Sequence, residues 1–66
     1  MMTTLQLKIP SMACAACTNT ITKAVQRVDA GANVQADLAT KWVRVETQAS
    51  EQAVRQAIAA AGYPVD

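Results

Sequence analysis

Two cysteines, Cys14 and Cys17, are the residues of this sequence whose type and spacing could do chemistry. Two thiols at positions i and i+3 can converge on one ion if the first lies in a loop and the second in the first turn of a helix. The unpaired amides and the positive dipole at a helix start favour the thiolate, which is the metal-binding form of cysteine. The pair therefore predicts a metal site.

The small number of ligands limits which metal this site could hold. The sequence has two cysteines and no histidine, whereas structural zinc sites and iron–sulfur clusters usually take about four such ligands, and calcium and magnesium need oxygen. Copper(I) is a soft ion for which thiolates are good ligands. Two sulfurs in a near-linear arrangement hold it and leave a third position open. Silver(I) and mercury(II) fit for the same reason.

An open third position predicts how the ion could leave. A partner's thiolate could attack before either bond to the carrier breaks, so that transfer becomes stepwise ligand exchange. Ala13, Ala15 and Ala16 are small and would let another protein's cysteine approach. The same open position permits a metal-bridged homodimer.

Other interpretations of the cysteine pair stay open at this stage. A redox dithiol is one, although a thioredoxin-like protein would need a longer chain with the motif near a βαβ pattern. Half of a zinc site that a second chain completes is another. Two inert buried cysteines fit less well, because Cys14 precedes the predicted helix.

Length and composition predict a single domain, residues 1–66, with a thin aliphatic core. The net charge is +1, and the only aromatic residues are Trp42 and Tyr63, which do not alternate with basic residues. Nucleic acid is therefore not an expected partner. The start of the chain lacks a signal-peptide pattern, and no apolar run could cross a membrane. We expect a cytoplasmic protein without direct membrane insertion, no catalytic residues, and hence no enzyme.

The first half of the chain predicts the elements that position the thiols. Leu5, Leu7 and Ile9 alternate with polar residues, which predicts a strand that Pro10 ends. Apolar residues at helical spacing predict a helix over residues 16–28. Gly31 is expected to end it in the left-handed conformation.

The second half of the chain repeats this pattern. Alternation predicts strands over residues 34–38 and 42–46, joined as a hairpin, and then a helix over residues 51–61 with Ser50 as its N-cap and Gly62 at its end. Residues 63–66 are expected to form a short last strand. The order predicts an α+β, ferredoxin-like βαββαβ fold: a four-stranded antiparallel sheet with both helices on one face. Trp42 would lie on the open face.

Met12 offers a third sulfur beside the cysteines. A methionine between a strand and a helix is more often a core residue than a ligand, since its side chain adapts to irregular gaps. We expect Met12 to be buried and to anchor the loop.

The whole chain resembles the heavy-metal-associated domains, the family of copper chaperones and of the N-terminal metal-binding domains of copper-transporting P-type ATPases. The segment from Met12 to Cys17 matches the MxCxxC loop of that family, and Gly62-Tyr63 matches its Gly-Tyr signature. The resemblance implies that Cys14 and Cys17 bind the metal and that Met12 is buried beneath the loop. It also implies that Tyr63 lies close to the sulfurs.

Two positions depart from the family pattern. Ser11 stands where many members have glycine, which predicts a less flexible loop. Ala13 stands where zinc- and cadmium-exporting relatives commonly carry an acidic ligand, and its lack of a carboxylate favours copper(I).

The resemblance also implies a partner. Family members meet it through the metal loop and the first helix, where this chain carries Lys23 and Arg27 and no acid. We expect these two residues to dock on an acidic patch of the metal-binding domain of a copper-transporting P-type ATPase. A free-standing chaperone is the first expectation, because the chain starts with methionine and ends where the fold would be complete. A metal-binding domain excised from such an ATPase is the alternative, and a redox dithiol protein is the second alternative.

Overall fold

The computed structural model describes residues 2–66 and shows an α+β fold, as the sequence pattern predicts. Its helices and strands, in chain order, are β1 (Thr3–Lys8), α1 (Ala15–Val28), β2 (Asn33–Asp37), β3 (Trp42–Thr47) and α2 (Glu51–Ala60). No helix in this part of the chain is long and apolar enough to cross a membrane.

The sheet has three strands in the order β1-β3-β2, and both pairings are antiparallel. One face of the sheet is buried together with the inner faces of both helices, so that the helices cover the same side, as predicted. The members of this core include Leu5, Leu7, Val43 and Val45 of the sheet and Ile21, Val25, Val54 and Ile58 of the helices. On the opposite face Trp42 is 46% exposed, which agrees with its predicted place on the open side.

The predicted fourth strand is absent from the sheet. Residues 63–66 have no regular structure, and what links them to β1 is a hydrogen bond of 2.8 Å from the Asp66 amide to the Lys8 carbonyl. Pro64 has no amide hydrogen to donate to a ladder. A ladder of several bonds therefore does not form over this short segment.

The end of α1 differs from the prediction because Asp29 takes the role expected of glycine. Asp29 is the C-cap, with an extended backbone, and its carboxylate accepts a 3.0 Å hydrogen bond from the Gly31 amide. Gly31 does not adopt the left-handed conformation, since Gly62 is the one glycine with positive φ. The same carboxylate accepts hydrogen bonds from the Thr47 hydroxyl and the Gln48 amide, which ties the end of α1 to the end of β3.

The hairpin turn between β2 and β3 starts one residue earlier than predicted. The Asp37 carboxylate accepts hydrogen bonds from the amides of Ala39 and Thr40, at 2.9 and 3.3 Å, and this side-chain turn ends the strand before Leu38. Lys41 closes the turn with a positive φ of 68°.

Helix α2 starts at Glu51, as predicted, and ends at Ala60, one residue before the predicted end, with Ala61 as its C-cap. The Ser50 hydroxyl accepts a 3.1 Å hydrogen bond from the Ala53 amide, which caps the helix start. At the other end Gly62 has φ 98°, its amide donates to the Ala59 carbonyl, and the Tyr63 amide donates to the Ile58 carbonyl. This pair of bonds is a Schellman motif, which aims the chain after α2 back across the helix. Tyr63 is thereby directed toward the start of α1.

Candidate metal centre

The first cysteine is the N-cap of α1. Cys14 has an extended backbone, its carbonyl accepts from the Thr18 amide, and its Sγ accepts a 3.3 Å hydrogen bond from the Cys17 amide. Serine, threonine, aspartate and asparagine usually fill this position, and here a sulfur does. The helix therefore presents its unpaired amides and positive dipole end to the sulfur of Cys14.

The second cysteine lies in the first turn of the same helix, and the two sulfurs converge. The Sγ atoms of Cys14 and Cys17 are 2.7 Å apart, and both cysteines are free thiols. Two metal–sulfur bonds of about 2.3 Å in a near-linear arrangement would place the two sulfurs about 4.6 Å apart. Cys14 is exposed and Cys17 half-exposed, so rotation of the side chains can open that gap.

The surroundings of Cys17 stabilise its thiolate. Hydrogen bonding to the Cys14 side chain is the largest cause, followed by hydrogen bonds to the Tyr63 side chain and the Ala13 backbone. These contacts lower the pKa of the Cys17 thiol from 9.0 to about 6, and partial burial opposes the shift. Cys17 is consequently a thiolate at neutral pH.

Tyr63 lies beside the sulfurs, as the family resemblance implies. Its hydrogen bond with Cys17 raises the pKa of the phenol, and desolvation and the negative charges of both cysteines act in the same direction. A hydrogen bond with Thr20 has the opposite, smaller effect on this pKa. Tyr63 therefore keeps its proton at neutral pH, and its hydroxyl can donate a hydrogen bond to the Cys17 sulfur. The sequence patterns did not point to Thr20.

The residues that support the loop are Met12 and Lys41. Met12 is fully buried and belongs to the core, which agrees with its interpretation as a core residue rather than a ligand. The Lys41 ammonium donates a 2.7 Å hydrogen bond to the Met12 carbonyl. Sequence patterns did not indicate Lys41, because this contact joins residues that are far apart in the chain.

The donor set at the site consists of the two sulfurs. Within residues 2–66 no group of three or more His, Cys, Asp or Glu side chains could hold an ion. A two-sulfur site of this kind fits a soft ion that accepts few ligands, and it leaves coordination positions open to a third thiolate.

Lys23 and Arg27, the predicted docking residues, are exposed on α1. Both line a shallow groove of ≈ 230 Å³, together with Ala24 and Ala61. Thr20 lines it as well, and Thr20 is the residue that hydrogen-bonds Tyr63. The groove thus extends along α1 from Thr20, one turn beyond the cysteines, to Arg27 in the last turn.

Comparisons with known proteins agree with this site. The family model described as "Heavy-metal-associated domain" matches residues 6–64. The copper chaperone Atx1 from Synechocystis PCC6803, solved in a Cu2 form, is 47% identical with a TM-score of 0.91, over 94% of this chain and 98% of that one.

Two other solved structures are more distant. A gold-binding protein is 37% identical with a TM-score of 0.86, over 98% of this chain and 95% of that one. Oxidized MerP from Ralstonia metallidurans CH34 is 33% identical with a TM-score of 0.86, over 100% and 96% of the two chains. A search of curated proteins gives no match.

Proposed function

The chain belongs to the heavy-metal-associated domain family, and from this premise we propose that it is a copper(I) chaperone. Cys14 and Cys17 hold one copper(I) ion as thiolates and pass it to another protein by ligand exchange. The observation that carries this proposal is the convergence of two free thiols at a helix start, where no His, Cys, Asp or Glu of residues 2–66 adds a third ligand.

The chemistry of the donors supports copper(I) as the cargo. Two thiolates are soft ligands, and they are too few for a closed zinc site. A carboxylate beside the sulfurs would favour a harder ion, and Ala13 supplies none. The similarity to a copper chaperone from Synechocystis PCC6803 supports the same ion, and the similarity to a gold-binding protein supports acceptance of other soft ions, such as silver(I) and mercury(II).

The residues around the ion support transfer by exchange. Cys17 is already ionised at neutral pH, so it binds the ion without first losing a proton. An incoming partner thiol loses its proton to solvent as its sulfur takes the open position, and Cys17 leaves as a thiolate when its bond to the ion breaks. The Tyr63 hydroxyl, which donates to Cys17, can stabilise the charge left on that sulfur when the ion departs.

The partner that this proposal assigns is the metal-binding domain of a copper-transporting P-type ATPase. Lys23 and Arg27 place two positive charges on the helix that begins at the metal centre, and they suit an acidic surface around the receiving cysteines. The open coordination position also allows a metal-bridged homodimer, and sedimentation with and without copper(I) distinguishes it from transfer between different proteins.

The direct test is an anaerobic copper(I) titration against a competing chromogenic chelator. We expect one ion per chain, bound more tightly than glutathione binds it, and at least hundredfold weaker binding by Cys14→Ser or Cys17→Ser. Ser11→Ala, which changes the same loop without touching a sulfur, should bind as the wild type does. Absence of tight, cysteine-dependent binding in the wild type would contradict the proposal.

Transfer needs a second measurement. Mixing the copper-loaded protein with the ATPase domain should move the ion within the mixing time of a stopped-flow instrument, and Cys17→Ser should slow this step. A normal transfer rate in Cys17→Ser would contradict exchange through both thiolates.

A redox dithiol is the second candidate, because two sulfurs 2.7 Å apart could form a disulfide with little movement. This function requires turnover of a disulfide substrate. Reduction of insulin with dithiothreitol as the electron source separates the two candidates, since a copper chaperone should not accelerate it.

A further inference from the structure

The turn between β2 and β3 contains a residue in an uncommon conformation. Lys41 has a φ of 68°, in the left-handed region, which glycine adopts freely and asparagine more readily than lysine. A long side chain held in this region is a reason to ask what that side chain does, since backbone strain often accompanies function.

Lys41 makes three hydrogen bonds, of which one closes the turn and two join the turn to the segment that leads into Cys14. Its amide donates to the Asp37 carbonyl at 2.8 Å and closes the turn, and its carbonyl accepts from the Ile9 amide at 2.9 Å, just after β1. Its ammonium donates to the Met12 carbonyl at 2.7 Å. Lys41 thus holds the segment between β1 and Cys14 at two points. One is Ile9, just after β1, and the other is Met12, two residues before Cys14.

The ammonium contact complements the burial of Met12. The Met12 side chain is fully buried, so it fixes the loop from the inside. The bond from Lys41 fixes the carbonyl of the same residue, and with it the orientation of the Met12–Ala13 peptide. A hydrogen bond from a charged donor is roughly twice as strong as one between neutral groups. The peptide that leads into Cys14 is therefore held on two sides.

We propose that Lys41 is a positioning residue of the metal centre: its ammonium tethers the Met12 carbonyl and so preorganises Cys14 to meet Cys17 on a copper(I) ion. This inference rests on the proposed copper(I) function for its consequence, whereas the tether itself is independent of metal. Preorganised ligands bind more tightly because less loop motion must be frozen on binding.

The test compares two substitutions at Lys41. Lys41→Asn removes the ammonium and keeps a residue that accepts positive φ, so the turn should still form. Lys41→Arg keeps a cationic donor. We expect Lys41→Asn to weaken copper(I) binding by about tenfold, the lower end of the range for residues that support metal ligands, and Lys41→Arg to recover most of the loss. Lys8→Gln, which removes the same charge from the exposed face of β1, should bind copper(I) as the wild type does.

A second readout needs no metal and separates positioning from charge or folding. Hydrogen exchange of the Ala13 and Cys14 amides in the metal-free protein should accelerate at least fivefold in Lys41→Asn, while exchange in the core of α2 stays unchanged. Wild-type exchange and affinity in Lys41→Asn would overturn the inference, as would an equal loss of affinity in Lys8→Gln. If the wild type bound no copper(I), the proposed function would fail. Hydrogen exchange of the Ala13 and Cys14 amides would still show whether Lys41 tethers the loop.

Discussion

At the level of single residues, the site depends on the protonation state of Cys17. Hydrogen bonds, above all to the Cys14 side chain, lower the pKa of this thiol to about 6. We expect alkylation of Cys17 by iodoacetamide, followed by mass spectrometry, to reach half its maximal rate near pH 6 in the folded protein and near pH 9.0 in urea. A folded-state midpoint near that of the urea sample would show that the thiolate is not stabilised.

The same shift links the stability of the metal-free protein to pH. Between pH of about 6 and 9.0 the unfolded chain holds a proton on Cys17 that the native state has lost. The free energy of unfolding should therefore rise with pH across this window and lose this contribution as pH falls through 6. Cys17→Ser serves as the control, and urea denaturation of this variant should show a smaller rise over the same window.

The Tyr63 hydroxyl should be needed for part of this effect. Tyr63→Phe keeps the ring that packs against the core and removes the donor to Cys17. We expect the alkylation midpoint of Cys17 to move upward, and copper(I) binding at pH 7 to weaken by up to about tenfold, because more of the thiol must lose a proton first. Unchanged midpoint and affinity would mean that Tyr63 contributes packing alone.

Local sequence patterns identified the two cysteines of the site. They did not identify Lys41, which reaches the metal loop through a contact between distant parts of the chain. The spacing of Cys14 and Cys17 could be read directly, and the resemblance to heavy-metal-associated domains implied that Tyr63 lies beside them. Lys41 reaches Met12 across 29 positions, and nothing near Lys41 in the sequence indicates that contact. Long-range side-chain contacts of this kind require the register of the hairpin, which the sequence pattern specified only to within about two residues.

At the level of elements, two glycines after helices make a matched experiment. Gly62 has positive φ and open space around it, whereas an added Cβ at Gly31 would meet Asp29 Oδ1 at an ordinary 3.6 Å. We expect Gly62→Ala to lower the free energy of unfolding by about 1–2 kcal/mol, the usual cost of a left-handed L-residue. Gly31→Ala should be neutral or stabilise by up to about 1 kcal/mol. Urea denaturation measures both.

Gly62→Ala should also affect the metal centre, since the Schellman motif at Gly62 directs Tyr63 toward Cys17. The alkylation midpoint of Cys17 should rise in this variant and stay near 6 in Gly31→Ala. An unaltered midpoint in Gly62→Ala would show that the motif does not position Tyr63, and equal stability of the two variants would show that the positive φ of Gly62 carries no cost.

Helix and strand periodicity predicted the elements well, and their ends less well. Gly31 looked like the residue that ends α1, but the chain leaves the helix at Asp29, whose carboxylate fixes the exit by accepting three hydrogen bonds from groups outside the helix. The Asp37 carboxylate likewise ends β2 before Leu38. Both aspartates compete with the backbone through their own side chains, and apolar spacing does not record this competition. The prediction of a last strand over residues 63–66 was wrong for a different reason: Pro64 has no amide hydrogen, and so short a segment can form few ladder bonds.

At the level of the whole molecule, the two faces differ in what they offer a partner. The helices cover one side of the sheet, and Lys23 and Arg27 are exposed on α1, beyond the metal centre at its start. Lys8 and Arg44 lie on the opposite, open face of the sheet, and both are exposed. Because the net charge is only +1, attraction of an acidic partner must come from where charges are placed rather than from their sum.

This placement yields a prediction with a control built into the fold. Association with an acidic ATPase metal-binding domain should slow by about tenfold as ionic strength rises from roughly 0.02 to 0.5 M. Reversing both charges in Lys23→Glu/Arg27→Glu should slow it similarly at low salt, whereas Lys8→Glu/Arg44→Glu, an equal change on the open face, should have a much smaller effect. Stopped-flow association rates test this.

Copper(I) affinity, measured in parallel, should be the same in both double variants, because neither pair contacts the sulfurs. Slower association in the α1 variant would then reflect docking rather than a damaged site. An association rate that ignores ionic strength, or that survives reversal of Lys23 and Arg27, would place the docking surface elsewhere on the molecule. Equal slowing by both pairs would instead mean that overall charge, and not the position of Lys23 and Arg27 on α1, guides the encounter.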